Sequence, residues 1–116
     1  MSGTRVPNAA NAVVAPAKVR DYLLFRDHPD NDGKADFFAL FGFFRERWSE
    51  LQTALMTHPG SNDVVRVVPA GDGMRYRVRC NLISPDGRDP CITTIWAVET
   101  GQPPRLITAF PGRFPG

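Results

Sequence analysis

Met74-Arg75-Tyr76-Arg77-Val78-Arg79-Cys80-Asn81-Leu82 alternates almost without error between apolar and polar side chains. A period of two marks a strand with one buried and one solvated face. Met74, Tyr76, Val78, Cys80 and Leu82 point one way, and Arg75, Arg77, Arg79 and Asn81 the other. Upstream, residues 64–68 read as a strand that turns at Ala70-Gly71-Asp72-Gly73. Downstream, Ser84-Pro85-Asp86-Gly87-Arg88 is a strong turn signal. Residues 91–98 and 105–110 then complete four strands, the last two joined by Gly101-Gln102-Pro103-Pro104. Before Asn62 the spacing is helical. Residues 18–25 carry Val19, Tyr22 and Leu23 at three-four intervals that Arg26 continues, and residues 34–41 stop at Gly42. Residues 45–57 put Trp48, Leu51, Leu55 and Met56 on one stripe and end before His58-Pro59-Gly60. Helices first and hairpin-linked strands second predict an α+β domain, N-terminal helices packed on one face of a four-stranded antiparallel sheet. Residues 1–16 read as an extended arm, 17–111 as the single domain and 112–116 as a C-terminal tail.

At 116 residues the chain suits one domain, and 42% hydrophobic with 22% charged residues is ordinary for a soluble protein. No apolar run reaches transmembrane length, and no signal-type hydrophobic region follows Met1-Ser2-Gly3-Thr4-Arg5. The expectation is a cytoplasmic protein, or one delivered to a target-cell cytoplasm by specialised export, with no membrane partner. The net charge of +2 says little, but twelve of the fourteen basic residues are Arg. Arg binds phosphate bidentately and stacks on bases, which suits RNA. GC-rich coding also raises Arg, so the argument rests on positions. Cys80 and Cys91 lack metal-ligand spacing and read as buried free thiols.

Three arginines in a row on one strand face, with no carboxylate between them, repel one another. A two-residue turn at Asp86-Gly87 sets Arg79 opposite Thr94 and Arg77 opposite Trp96. Thr94 and Trp96 then join the arginine face, unless a one-residue slip exchanges the faces. Cations for phosphates beside an indole for a base make a single-strand-binding surface. Arg105 opens the last strand and Thr108 has the opposite parity, so only a bulge allows both on that face.

The second chemical feature is His28-Pro29-Asp30-Asn31-Asp32-Gly33-Lys34. Asp32 suits a helix N-cap, and Lys34 falls in the first turn, where a cation is disfavoured by the helix dipole. A bound anion on the first-turn amides and the lysine would relieve this. With His28 beside it, the segment is a minimal kit for phosphodiester chemistry. Asp30, Asp32 and Gly33 half-match a calcium loop, but its closing acidic position would be Ala39, so no metal or other cofactor is expected. His58, next to a Pro-Gly turn, is expected at the surface.

Tyr22-Leu23-Leu24, His28-Pro29, Gly33-Lys34-Ala35, Phe38, Gly42 and Trp48 together resemble a bacterial domain of unassigned function found with polymorphic toxins and toxin–antitoxin gene pairs. Gly73-x-x-Tyr76-Arg77-Val78, Pro85-Asp86-Gly87, Thr94-x-Trp96 and Pro104-Arg105-Leu106-Ile107-Thr108-Ala109-Phe110 extend the resemblance across residues 6–111. The element order is similar to the barnase–EndoU–colicin–RelE group of metal-independent ribonucleases. Thr94-x-Trp96 looks like the Ser-x-Trp element of the colicin D tRNase. The chain departs from colicin D-like nucleases in having only Lys34 near its histidine, among Asp27, Asp30 and Asp32.

The resulting expectation is a metal-independent ribonuclease-like toxin, with tRNA among its candidate substrates and a cognate antitoxin or immunity protein as partner. His28 is the candidate acid or base for attack of the ribose 2′-hydroxyl on phosphorus, with Lys34 and Arg77 stabilising the phosphorane charge. Thr94 is the candidate hydrogen-bond donor to the phosphate. Arg75, Arg79, Trp96, Arg105 and Thr108 are candidates for holding the strand. The alternatives are a non-catalytic RNA- or protein-binding module, and an antitoxin-type partner that recruits another chain.

Overall fold

In a computed structural model describing residues 4–111, the alternating stretch becomes β2 (Gly73–Asn81). It lies between β1 (Asp63–Ala70) and β3 (Cys91–Glu99), and β4 (Arg105–Pro111) completes an antiparallel meander in the order β1-β2-β3-β4. The helices precede the sheet. Helix α1 (Pro16–Lys18) runs on as a π-helical stretch, Val19–Leu23, α2 spans Lys34–Ala39, and a 3₁₀ turn leads into α3 (Trp48–Ser61). The expected α+β architecture is the one observed. The tail at 112–116 lies outside the described residues. The arm bends in: Val6, Ala12 and Val14 are buried, and Val13 bridges in parallel to Arg105 along β4.

Burial follows the alternation. Val78, Ile92, Trp96, Leu106 and Ala109 from the sheet are buried with Leu82 just after β2, with Leu51 and Leu55 of α3 and with Phe38 and Phe43. Helix α3 does not stop before His58; it continues through Pro59 and Gly60 to Ser61. A proline removes one intrahelical donor, which is tolerable near a helix end. Here the freed turn is tied to the sheet, since Asn62 Nδ2 donates to the carbonyls of His58 and Asn81, both at 3.0 Å.

That extra turn buries His58 instead of exposing it, at 1% exposure. Its Nε2 lies 2.8 Å from the Cys80 carbonyl and its Nδ1 3.0 Å from Thr94 Oγ1. The carbonyl can only accept, so Nε2 carries the proton and Nδ1 accepts from the Thr94 hydroxyl. Trp96 Nε1 in turn donates to Thr94 Oγ1 at 2.7 Å. Burial pushes the His58 pKa below its ordinary value, with the Cys80 carbonyl opposing. Cys80 and Cys91 are not free thiols: they form a disulfide, their Cα atoms 4.2 Å apart.

The register also differs from the expected one. Arg79 faces Thr93, Arg77 faces Ile95 and Arg75 faces Ala97. A two-residue turn at Asp86-Gly87 requires the opposite parity, because one residue of slip exchanges every face. Residues 82–90 form a longer loop instead. Asp89 Oδ1 accepts from the Ser84 amide at 2.9 Å, and Asp86 Oδ1 from the Arg88 amide at 3.0 Å. The loop is docked on the end of α2, with the Asp86 amide on the Phe41 carbonyl at 3.3 Å and Arg88 over the Phe41 ring. Gly42, at φ +98°, lets the chain pass, and a Cβ there would sit 3.0 Å from Pro85 Cβ.

Candidate functional site: a cationic cleft at the edge of an arginine face

The shift of register moves Thr94 and Trp96 to the helix-packed side, where both are fully buried. Neither can meet a phosphate or stack on a base, so the expected roles of these two residues are replaced by the buried network with His58. The arginines stay outside. Arg77 and Arg79 are exposed and Arg75 is half-buried. Two further arginines join them: Arg66 of β1 faces Arg77, and Arg105 of β4 faces Ala97, whose other neighbour is Arg75. A register shift between Ile95 and Trp96 leaves Ile107 bulged, so Thr108 faces Ile95 and shares the side with Arg105. The bulge resolves the conflict of parity between those two residues.

Charge is partitioned sharply. Arg5, Arg20, Arg26, Arg45, Arg47 and Arg88 each pair with a carboxylate. Among the described residues no ion pair involves Arg66, Arg75, Arg77, Arg79 or Arg105. The one acid of β1, Asp63, is taken by Arg5. Five guanidiniums therefore share one sheet face with no ion pair among the described residues, and the acids of the same parity, Asp63 and Glu99, lie at strand ends.

At the β4 side of this face lies a shallow cleft of about 820 Å³, whose lining includes Lys18, Tyr22, His28, Lys34, Thr108 and Phe110. Tyr22 is its hub. The phenol oxygen is 2.9 Å from Thr108 Oγ1, the His28 ring packs edge-on at 5.0 Å, and the Lys18 and Lys34 ammoniums each sit 5.6 Å from the ring centroid. Two cations on one aromatic ring are held by its quadrupole, and both lysines are half-exposed. The acids at the rim are Asp21 and Asp30. Asp21 is bound to Arg20 and Arg45, and the Arg20 hydrogen bond leads in holding its pKa below the ordinary carboxylate value.

Asn31, not Asp32, organises the His28 loop. It is buried, its Nδ2 donates to the Tyr22 and Leu23 carbonyls at 2.6 and 3.1 Å, and its Oδ1 accepts from the Ala35 amide at 3.0 Å. Gly33 occupies the cap position with φ 82°, which glycine adopts without strain. The Lys34 amide is likewise bonded, to the Asn31 carbonyl at 3.0 Å. The amides of Lys34 and Ala35 are thus already used, and it is the lysine side chain that turns into the cleft. His28 Nδ1 accepts from the Asp30 amide at 3.0 Å. In the neutral ring the proton is therefore on Nε2. Among the described residues, no group of three or more His, Cys, Asp or Glu is arranged to hold a metal ion.

His28, Lys34 and Thr108 are thus gathered in the cleft, and Arg75, Arg77, Arg79 and Arg105 stand on the adjoining sheet face. Lys18, Tyr22 and Arg66 are the residues that sequence reasoning missed. Lys18 and Tyr22 are four apart on one helix side, a spacing legible in advance, but nothing local says that β4 brings Thr108 to them.

The fold is similar to a chain in the structure of a contact-dependent growth inhibition toxin–immunity protein complex from Klebsiella pneumoniae 342. The TM-score is 0.72 at 17% identity, over 94% of this chain and 100% of that one. No curated protein matches the sequence significantly. Residues 5–113 match a family described as a domain of unknown function, DUF6883, and the chain belongs to that family.

Proposed function

We propose that the domain is the RNA-cleaving part of a bacterial toxin system and that its cleft acts on phosphodiesters without a metal. The observation that carries this reading is the meeting of Lys18, Lys34, His28 and Thr108 around Tyr22, at the margin of the sheet face bearing the five arginines that form no ion pair among the described residues. Cations fixed where charge develops are the main requirement for stabilising a phosphorane. Lys18 and Lys34 serve that purpose, with Tyr22 holding both and orienting the Thr108 hydroxyl. His28 offers Nε2–H to a phosphate oxygen. To accept the 2′-hydroxyl proton at Nε2, the ring would first move its own proton to Nδ1 and give up the Asp30 amide. The resting geometry thus favours charge stabilisation by His28 over general base catalysis, with the 2′-hydroxyl proton passing to water in the open cleft and the leaving 5′-oxygen taking its proton from water. Arg75, Arg77, Arg79 and Arg105 hold flanking phosphates, and Lys18 supplies a second lysine near the histidine, as in colicin D-like nucleases.

The similarity to a chain of a toxin–immunity complex supports the toxin-system context. It also favours a cognate partner, and an uncompensated arginine face suits an acidic one. The test is incubation of the purified protein with total tRNA in excess EDTA, followed by mapping of the new ends. The expected products carry 2′,3′-cyclic phosphate and 5′-hydroxyl ends, and Lys34→Ala with His28→Ala abolishes them while the melting temperature holds. Salt-sensitive binding with no new ends would replace this reading with the non-catalytic RNA-binding module.

A further inference from the structure

The outer sheet face is organised in rows that run across the strands. One row reads Arg105, Ala97, Arg75, Val68 from β4 to β1; a second reads Thr108, Ile95, Arg77, Arg66; a third reads Phe110, Thr93, Arg79, Asp63. The first ends on an aliphatic residue and the third on a carboxylate. Among the described residues only the middle row carries a cation on both β2 and β1, and it is also a row that begins in the cleft, at Thr108. Strands are about 4.8 Å apart, so Arg77 and Arg66 stand roughly 10 and 14 Å from Thr108 along the row. No acid interrupts that path.

We infer that a single-stranded RNA segment crosses the sheet along this row, one phosphate in the cleft and successive phosphates over Arg77 and Arg66, which makes Arg66 a substrate-binding residue. The inference rests on the ribonuclease reading for the identity of the phosphate in the cleft. Ile95 lies half-buried within the row, and Arg75, Arg79 and Arg105 stand in the rows on either side. A flexible strand can follow it, its bases against the guanidiniums. A rigid A-form duplex presents its phosphates on a curved surface and cannot track the row into the cleft.

The probe is a 2′-O-methyl octanucleotide, which binds but cannot be cleaved, titrated against the whole protein across a salt series. Each phosphate neutralised on a single strand adds about 0.7 to the slope of log K against log salt. Arg66→Gln is therefore expected to flatten the slope by about 0.7 and to weaken binding by about eightfold at about 50 mM salt, relative to an effect that vanishes near 1 M. Arg77→Gln should do the same, and Arg47→Gln, on the helical side and paired with Glu50, should do neither. An unchanged slope for Arg66→Gln, equal affinity for a duplex of the same sequence, or no binding by the unmodified protein each overturns the inference. Cleavage of the matching ribo-octanucleotide is scored separately. Arg66-dependent binding without cleavage keeps the row and removes the ribonuclease activity; cleavage with no Arg66 dependence keeps the activity and removes the row.

Discussion

Thr94→Val removes one hydroxyl and no volume, and its consequence differs sharply between the two positions this residue can be given. In the structure Thr94 Oγ1 accepts from Trp96 Nε1 at 2.7 Å and donates to His58 Nδ1 at 3.0 Å, all three side chains being buried. Valine leaves the indole N–H and the imidazole nitrogen without their present partner at buried positions. Each unsatisfied buried polar group costs about 1–3 kcal/mol, so the pair costs roughly 2–6 kcal/mol. Against a typical total of about 5–15 kcal/mol this is a large loss. Urea denaturation followed by tryptophan fluorescence measures it. Thr94→Ser keeps both hydrogen bonds and gives up one methyl, worth about 0.8 kcal/mol. RNA cleavage by the valine variant, measured where it is fully folded, should match the unmodified protein. A stability loss under about 0.5 kcal/mol, or a loss of cleavage in fully folded protein, would refute the buried network and return Thr94 to the arginine side.

His58 supplies a second test, through pH. Its folded pKa is lowered by burial, so between that value and the unfolded value of about 6.5 the unfolded chain binds more protons. Stability is therefore full above pH about 6.5 and falls as the pH drops, by at most about 1.4 kcal/mol at one unit below. Denaturation midpoints at pH 7.5 and about 5.5 check this; a midpoint that rises on acidification contradicts the assignment. The Cys80–Cys91 disulfide closes a short loop. Its removal by Cys80→Ser with Cys91→Ser should cost about 3 kcal/mol by loop entropy, read as the same shift that a thiol reductant produces on the unmodified protein. No difference between oxidised and reduced protein would mean the bridge does not form in solution.

The sequence was sufficient for whatever depends on near neighbours. Alternation in residues 74–82 is local, so the strand, its two faces and the outward side of Arg75, Arg77 and Arg79 were all legible. So was the order of helices before strands, and the association of His28 with Lys34, six residues apart in one loop. Three things were beyond it. The partner of each β2 residue depends on how many residues the 82–90 loop spends, and that number is set by the docking of Ser84 to Asp89 on Phe41 and by the hydrogen bonds of Asp86 and Asp89. A change of one residue moved Thr94 and Trp96 from the arginine side to the core. His58 looked like a turn residue because Pro59 ends most helices. Its burial follows from contacts with Cys80 and Thr94, 22 and 36 residues away. The cleft joins Tyr22 to Thr108 across 86 residues, and the bulge at Ile107 that turns Thr108 outward has no local signature. Local pattern decides which side chains a segment offers to each face. Register, bulges and docking decide which of them meet, because these depend on contacts between residues far apart in the chain.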